Sequence, residues 1–436
     1  MRYGMSQLLD LMRTPAGRIE IYEGFRFRSW PVMSRVAKLH RKTLARKTRI
    51  VAIVGSFGKS TTTCAVTTGL GLPLHREFSF NCWTGVALAM LRIHASQPLA
   101  VVEVGISDVG QMVNYANIVQ PDIVVVTSIG SEHHRSLGTL EGTRHEKAFM
   151  VRKLSADGTA ILNGDDPNVM WMQTQTPARI VTFGLGESND VRASNMRVDW
   201  PHGTRFTLHM NGESREVSVR LFGQHMLYPI LATAAVARAA GLNLDDVLAR
   251  LGTLPPLSGR LQPIELPNDI WILRDDYKSQ TETIHSALDV FAQVPAKRRI
   301  VVLGPVTEPL GTQRAIYRDI GVRLAKIADR VIIVGSTKDF DSYAAGVKQG
   351  GLPRSIVTHA GHNTQRVVKM LRELLQHGDA LLIKGRFEQH LERIALALIG
   401  RDVRCEIRSC KLKIHCADCP MLGRGWASHE DTVEPT

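Results

Sequence analysis

The first residues able to do chemistry form a short loop that reads Gly-Ser-Phe-Gly-Lys-Ser over residues 55–60. An apolar stretch over residues 50–54 precedes it, and a helix is predicted over residues 60–70. Successive backbone N–H groups at such a turn, together with the positive end of the helix dipole, bind phosphate. Lys59 would lie against the β- and γ-phosphates, and the Ser60 hydroxyl would coordinate Mg²⁺. The loop therefore predicts a nucleotide site.

The spacing of this loop is shorter than the general GxxxxGK[ST] pattern, so an incidental glycine-rich turn is the alternative. The strand before it and the helix after it favour phosphate binding, because the motif needs both. The candidate nucleotide contacts at the loop are Gly55, Ser56, Phe57, Gly58, Lys59, Ser60 and Thr61.

Short apolar strands alternate with helices from residue 49 onward, which predicts an α/β fold with mainly parallel sheets. The first strands are predicted over residues 50–54, 99–104, 122–127 and 159–162, and the helices over residues 60–70, 84–94 and 141–155. Residues 178–222 indicate an antiparallel appendage, and a helix follows over residues 225–241.

A second α/β unit of dinucleotide-binding type is predicted after the adjacent prolines Pro255 and Pro256, which interrupt the pattern. Its strands are predicted over residues 270–274, 299–303, 330–334 and 380–383. The predicted organisation is a short basic segment 1–48, an ATP-binding domain 49–255, a Rossmann-like domain 256–402 and a cysteine-containing tail 403–436.

The composition limits the class of protein. The chain has 436 residues, 44% of them hydrophobic, enough for two substantial cores. Its apolar stretches are too short to span a membrane, and charges interrupt the N-terminus, so we expect a cytoplasmic protein. The formal net charge of +13 is consistent with an anionic partner or a solvated basic face. No nucleic-acid-binding module is recognisable, so nucleic acid is not an expected partner.

An ordered series of motifs beyond the loop resembles the Mur ligases, the enzymes that add amino acids to peptidoglycan precursors. The series covers residues 50–400 and comprises GSFGKSTTT, Asn81 in NCWTGV, Glu103 in EVG, His133 after TSIG, Lys147 after LEG, Asn163 in NGDD, GQH from Gly223, Gly259-Arg260, Asp275 in DDY, and Lys384 in KGR. The branch it most resembles adds D-alanyl-D-alanine to the UDP-MurNAc-tripeptide.

The resemblance implies a central P-loop ATPase domain, a Rossmann-like C-terminal domain and an amide ligase. ATP would phosphorylate a substrate carboxylate, and an amino acid or other amine would then attack the acyl phosphate. Two divalent cations would offset the negative charge, with Mg²⁺ favoured by its preference for oxygen ligands.

Site residues follow from the same resemblance. Glu103, His133 and Ser60 would bind Mg²⁺, and Asn163 would contact the nucleotide. Lys147 matches a lysine that is carbamylated in the family, with a surface lysine as the alternative. In the second domain, Arg260 would contact the ATP phosphates and Asp275 the ribose. Lys384 would contact the substrate or the terminal phosphate, with a surface charge as the alternative.

Two departures from the family pattern affect the expected substrate. Only residues 1–48 precede the first strand, where the branch has a UDP-sugar domain, so we expect an acyl substrate other or smaller than the UDP-linked peptide. The family's GxHNxxN pattern reads Gly223-Gln224-His225-Met226-Leu227-Tyr228-Pro229 here, so both asparagines are missing. A nucleotide-binding regulatory relative is therefore the alternative function.

Four cysteines near the C-terminus are foreign to the family pattern: Cys405, Cys410, Cys416 and Cys419. Four soft ligands in a short stretch can close a tetrahedral Zn²⁺ site, and the CxxC spacing suits one coordination hairpin. The proline after Cys419 also permits an iron–sulfur cluster. Reduced thiols without metal are the remaining alternative.

Overall fold

The computed structural model describes residues 15–74, 81–130, 134–307, 311–408, 410, 414–419 and 421–423, together with Leu9 and Met12. It divides into a middle unit, Phe25–Pro255, and a second unit, called the C-terminal unit below, which comprises Pro256–Thr436 together with Met1–Gly24. The division falls between the two adjacent prolines. Within the described part of the chain, no helix is both long and apolar enough to cross a bilayer.

Eight strands form one sheet in the middle unit: β1 Arg49–Val54, β2 Leu99–Glu103, β3 Ile123–Val126, β4 Thr159–Asn163, β5 Arg179–Gly184, β6 Val191–Asp199, β7 Gly203–Met210 and β8 Glu213–Val219. Their order is β2-β1-β3-β4-β5-β6-β7-β8. The first five strands pair in parallel, and every residue of β3 and β4 is buried. Strands covered on both faces need continuous apolar sequence, which these have.

The helices of this part of the chain are α1 Pro15–Lys42, α2 Lys59–Gly69, α3 Thr84–Leu91, α4 Gln111–Val119, α5 His134–Leu137, α6 Leu140–Arg152, α7 Pro167–Met170, α8 Leu227–Ala240 and α9 Leu244–Gly252. The ends of the predicted elements agree with these within a few residues. Thr139 caps α6 by accepting a hydrogen bond from the Gly142 N–H at 3.0 Å. This cap fixes where the helix that carries Lys147 begins.

Residues 178–222 differ from the predicted appendage. Strands β6, β7 and β8 are antiparallel to one another, as predicted, but they continue the parallel sheet instead of forming a separate element. The joining pair is β5 with β6, which is parallel and short. The alternation of polar and apolar residues indicates that a segment is a strand, but it does not indicate which strand pairs with it. The sequence therefore could not predict that these strands extend the parallel sheet.

The C-terminal unit has a six-stranded sheet made of β9 Gln262–Leu266, β10 Ile270–Asp275, β11 Arg298–Leu303, β12 Arg330–Val334, β13 Val357–Gly361 and β14 Asp379–Lys384. The order is β13-β12-β11-β14-β10-β9, parallel except for the edge strand β9. The helices are α10 Thr281–Ala292, α11 Gln313–Leu324, α12 Thr337–Gln349, α13 Thr364–Leu374 and α14 Glu392–Leu398. The four predicted strands are present, and the two edge strands were missed because their sequences are mixed in polarity.

Arg41 ties the basic N-terminal segment to the middle unit. Arg41 is 8% exposed, and its guanidinium donates to the carbonyls of Ala45 at 2.7 Å and Gln120 at 2.9 Å. It also forms an ion pair with Asp122 at 3.0 Å. Because Asp122 accepts a further hydrogen bond from the Ile50 N–H, the arginine supports the start of β1. The segment from Phe25 is thus part of the middle unit.

Replacing Arg41 by alanine should lower the free energy of unfolding of the middle unit by about 2–3 kcal/mol, because several buried acceptors lose their donor. Urea denaturation followed by circular dichroism measures this loss. Arg205→Ala is the control: its pair with Asp199 has an arginine side chain that is 51% exposed. That change should cost less than about 1 kcal/mol. Equal losses in the two variants would contradict the anchoring role.

Candidate active site

The loop between β1 and α2 is held in a conformation that only glycine tolerates at two positions. Gly55 has φ +147° and Gly58 has φ +80°. A Cβ atom on Gly55 would lie 2.0 Å from Thr127 Oγ1, which follows the neighbouring strand β3. The Thr127 hydroxyl in turn donates to the Phe57 carbonyl at 2.6 Å. The loop is therefore shaped by direct packing against the end of β3.

The backbone N–H groups of the loop have different roles. Those of Ser56 and Phe57 donate to Ser128, at 2.8 Å to its carbonyl and 2.9 Å to its hydroxyl. Helix α2 is capped by Gly58, with no side-chain cap. The first N–H groups of a helix have no intrahelical acceptor, so those of Lys59, Ser60 and Thr61 are the ones suited to phosphate. The backbone of Ser56 and Phe57 shapes the loop instead.

Lys59 and Ser60 begin the helix at this loop. The Lys59 ammonium donates to the Ser56 carbonyl at 2.8 Å, which folds its side chain back over the loop. The Ser60 hydroxyl donates to Glu103 Oε1 at 3.1 Å. A positive charge and a hydroxyl–carboxylate pair thus meet at the N-terminus of one helix, where the dipole also favours anions.

Glu103 ends β2 and is 6% exposed. Its Oε1 atom also accepts a hydrogen bond from Asn81 Nδ2 at 2.7 Å. Two adjacent ligands of an octahedral Mg²⁺ at roughly 2.1 Å from the ion lie about 3 Å apart, which matches the Ser60–Glu103 separation. The donor set, a hydroxyl and a carboxylate, is also the one that Mg²⁺ prefers. These residues therefore fit a magnesium site.

Lys147 lies on α6 and is 1% exposed, so the surface-lysine alternative is wrong. Its ammonium donates to the Gly55 carbonyl at 2.9 Å. A buried lysine against the first residue of the phosphate loop is costly unless it has a role there. Burial and position make Lys147 a candidate for chemistry at the phosphate loop.

Asn163 and Asp165 organise the loop after β4. The Asn163 amide donates to the Thr127 carbonyl at 2.8 Å, and its Oδ1 atom accepts from the Asp165 N–H at 3.1 Å. Burial tends to raise the pKa of Asp165, but hydrogen bonds from Leu185, Gly186, Tyr228 and Asn189 together lower it below its usual value. Asn163 is thus fixed beside the phosphate loop by the end of β3.

Tyr228 lies directly before Pro229, which occupies the position of the second family asparagine, and donates its hydroxyl to Asp165 Oδ2 at 2.9 Å. Burial, and then this hydrogen bond, raise the pKa of the tyrosine. This hydrogen bond connects the start of α8 to the loop after β4.

His133, the third expected magnesium ligand, lies outside the described residues. Two residues at the site were not singled out as site residues from sequence, Asn81 and Ser128. Asn81 stood in the NCWTGV motif, which was a usable signal. Ser128 stood in the TSIG motif, but its contacts to the loop depend on β1 and β3 being neighbours.

The candidates in the C-terminal unit form a cluster of their own where β10 and β14 end side by side. Asp275 pairs with Lys384 in strand register, and their carboxylate and ammonium lie 3.2 Å apart. Lys384 also donates to the Lys278 carbonyl. Lys384 is 1% exposed, so the surface-charge alternative is wrong, and burial lowers its pKa although Asp275 opposes that shift.

Arg260 lies close to this cluster within the same unit. Its guanidinium carbon is 4.4 Å from the centre of the Tyr277 ring, a cation–π contact. The next residue, Leu261, donates its N–H to Asp275 Oδ1 at 3.2 Å. Gly259 has φ +69°, and a Cβ atom there would lie 2.5 Å from Asp276 Oδ1. The glycine–arginine pair is thus fitted to the end of β10.

The tail cysteines lie in the C-terminal unit, outside this cluster. Cys405, Cys410, Cys416 and Cys419 are not in disulfide bonds, and they line one small cavity.

Two family models match this chain. A model described as "Mur ligase middle domain" matches residues 41–237, and one described as "Mur ligase, glutamate ligase domain" matches residues 259–387. The UDP-N-acetylmuramoyl-tripeptide–D-alanyl-D-alanine ligase of Escherichia coli is 29% identical over 358 residues, covering 80% of this chain and 76% of that protein. Its counterpart in Bacillus subtilis is 26% identical over 375 residues, covering 84% and 79%.

Solved structures share the fold. MurF from Acinetobacter baumannii superposes with a TM-score of 0.74 at 22% identity, covering 85% of this chain and 80% of that one. MurF from Thermotoga maritima in complex with ADP gives a TM-score of 0.73 at 19% identity, covering 85% and 83%.

Changing Gly55 to alanine should weaken ATP binding at least about tenfold, because the new methyl group would displace Thr127 and with it the loop. Isothermal titration calorimetry with ATP and Mg²⁺ measures the dissociation constant. Gly212→Ala is the matched control, since Gly212 also has positive φ, +78°, but nothing lies within 4 Å of its Cβ position. Unchanged ATP affinity in the Gly55 variant would refute the close-packing argument.

Proposed function

The chain belongs to the Mur ligase family and is an ATP-dependent ligase that forms carbon–nitrogen bonds, and we propose that it joins a peptide carboxylate to an amino acid or dipeptide amine. The substrate classes are those in the names of the related ligases from Escherichia coli and Bacillus subtilis. The observation that best supports the proposal is the phosphate loop with Ser60 placed 3.1 Å from Glu103.

The overall reaction is the one expected for an acid–amine ligase. An oxygen of the substrate carboxylate attacks the γ-phosphorus of ATP, and ADP leaves with the electrons of the broken bond. The amine nitrogen then attacks the carbonyl carbon of the acyl phosphate, loses a proton, and inorganic phosphate leaves. Activation is needed because a carboxylate at neutral pH is a poor electrophile.

The residues of the loop supply binding and charge compensation for this reaction. Lys59 and the N-terminus of α2 would hold the β- and γ-phosphates of ATP. Ser60 and Glu103 would hold Mg²⁺, which supplies charge neutralisation at the transferred phosphoryl group. Asn81 orients the Glu103 carboxylate through its hydrogen bond to Oε1. His133 is proposed as a further magnesium ligand on the resemblance alone.

Lys147 is proposed to carry a carbamate, as the matching lysine does in the family. A carbamate would convert the buried ammonium into an anion able to organise a second cation. Arg260 and Asp275 are the proposed contacts to the ATP phosphates and ribose, and Lys384 to the substrate or the terminal phosphate. These three roles also rest on the resemblance.

Phosphate release from ATP, measured with carboxylates and amines supplied in pairs, tests the function. UDP-MurNAc-tripeptide with D-alanyl-D-alanine is one pair, and shorter peptides with single amino acids are the others. One pair should stimulate release and yield an amide product with ADP. Glu103→Gln should lower that rate at least about 100-fold, since it removes a metal-binding charge. The exposed Glu187→Gln is the control and should leave the rate unchanged.

A different outcome of the same experiment would favour the nucleotide-binding regulatory relative. In that case ATP would bind with measurable affinity, but no pair would stimulate phosphate release and no amide would form. Full activity of the Glu103→Gln variant would remove this residue from the mechanism.

Lys147→Ala should lower turnover at least about tenfold, and short carboxylates added to the assay should restore part of it by replacing the carbamate anion. Wild-type turnover should likewise fall when bicarbonate and CO₂ are removed. Lys153→Ala is the control at the C-terminus of the same helix, since that lysine is exposed and its ammonium donates to Asn117 at 2.9 Å. Activity that is indifferent to bicarbonate, with no rescue by carboxylates, would contradict carbamylation.

A further inference from the structure

The tail after α14 folds back onto its own unit through a few polar contacts. Arg393 donates to the carbonyls of Cys405 at 2.9 Å and Ile407 at 2.6 Å. The Cys410 N–H donates to the Glu388 carbonyl at 2.8 Å, and the Cys416 N–H donates to Glu392 Oε1. These contacts bring cysteines from separate parts of the tail to one place.

The thiols of the tail surround a cavity of about 20 Å³. It is lined by Cys405, Cys410, Cys416, Cys419, His390, Arg393, Ile414 and Met421. That volume is close to the roughly 10–15 Å³ needed for a single water-sized occupant, so the cavity matches one ion and is far too small for an iron–sulfur cluster.

His390 points an unsatisfied nitrogen at this cluster. The residue is 3% exposed, and its Nε2 atom is buried without a hydrogen-bond partner among the residues that the structure describes. The ring lines the same small cavity as the thiols of Cys410 and Cys416. Buried polar atoms without a hydrogen-bond partner are rare in folded proteins and need an explanation. Binding of a metal ion together with the adjacent thiols would explain this one.

The other nitrogen of the ring has the partner that metal-bound histidines have. His390 Nδ1 lies 3.5 Å from Glu392 Oε1, and Glu392 Oε2 accepts from Arg274 at 2.6 Å. Histidine ligands commonly donate their second N–H to a carboxylate, which fixes the tautomer that binds metal. Ligand atoms of His390, Glu392 and Cys416 all lie within 4.8 Å of one another, and Cys410 and Cys419, which are outside this group, line the same cavity.

We propose that Cys410, Cys416, Cys419 and His390 bind one structural Zn²⁺ that fastens the tail to the C-terminal unit. Cys416 and Cys419 stand at the two ends of a tight turn, with the Cys419 N–H donating to the Cys416 carbonyl at 3.1 Å. Three thiolates and one imidazole form a closed tetrahedral set for zinc. Cys405 lies outside the set, because its sulfur accepts from Arg393 at 3.5 Å.

Ion pairs connect the proposed zinc site to the strand that carries Asp275. Glu392 holds Arg274, and Arg274 is also paired with buried Asp276 at 3.0 Å. Arg274 and Asp276 flank Asp275 at the end of β10. Zinc would therefore stabilise this strand end as well as the tail, whose apolar contacts among the described residues are two small clusters.

Metal analysis of the full chain, purified without a histidine tag under reducing conditions, tests the proposal. The expected result is one zinc ion per chain, and Co²⁺ substitution should give the visible spectrum of tetrahedral thiolate ligation. Cys416→Ser and His390→Gln should each lose stoichiometric zinc. Cys405→Ser and Cys82→Ser, a cysteine of the middle unit, are the controls and should retain it. Glu103→Gln should also retain it, which separates this site from the magnesium site.

Chelation provides a readout that does not depend on folding of a variant. Removing metal from the wild-type protein should lower the thermal midpoint of the C-terminal unit and expose the tail to protease, and Zn²⁺ should reverse both changes. Wild-type protein without zinc that fails to take it up would overturn the proposal. Purified protein that contains iron and sulfide and absorbs broadly in the visible range would also overturn it. A His390→Gln variant that retains zinc, with a Cys405→Ser variant that loses it, would do the same.

Discussion

The packing of Gly55 against Thr127 is the constraint on which the middle unit depends. The loop can turn into α2 only because Gly55 has no Cβ, and Thr127 and Ser128 hold it through hydrogen bonds to Phe57. Those contacts require β1 and β3 to be neighbours in one parallel sheet. Once the loop is fixed in this way, the first N–H groups of α2 point to a single place, and the helix dipole acts there.

Polar groups at the ends of the strands then complete the site. Glu103 ends β2, which lies on the other side of β1, so its carboxylate reaches Ser60 and Asn81. Lys147 reaches the Gly55 carbonyl from α6. Open α/β sheets bind ligands at the carboxyl ends of their strands because side chains of several strands converge there. Glu103, Thr127 and Asn163 each stand at or directly after such an end.

The C-terminal unit applies the same rule with different chemistry. Asp275 and Lys384 end adjacent parallel strands and neutralise each other, which lets both groups lie away from water. Arg274 connects this strand end to Glu392, and Glu392 contacts both His390 and the tail. Arg274, Asp276, Glu392 and His390 therefore form one connected network of buried charged groups at this end of the sheet.

The sequence by itself determined the local chemistry of this protein: a strand, a glycine loop and a helix for phosphate, and an ordered set of motifs that resembles the Mur ligases. Such features are short in range, since periodicity and turn chemistry act within a few residues. Only the tertiary structure decided that Lys147 and Lys384 are buried, that strands β6 to β8 extend the sheet, and that Ser128 shapes the phosphate loop. It also brought His390 to the tail cysteines from outside their motif. Each of these depends on which distant segments become neighbours, and residue spacing along a chain does not specify that.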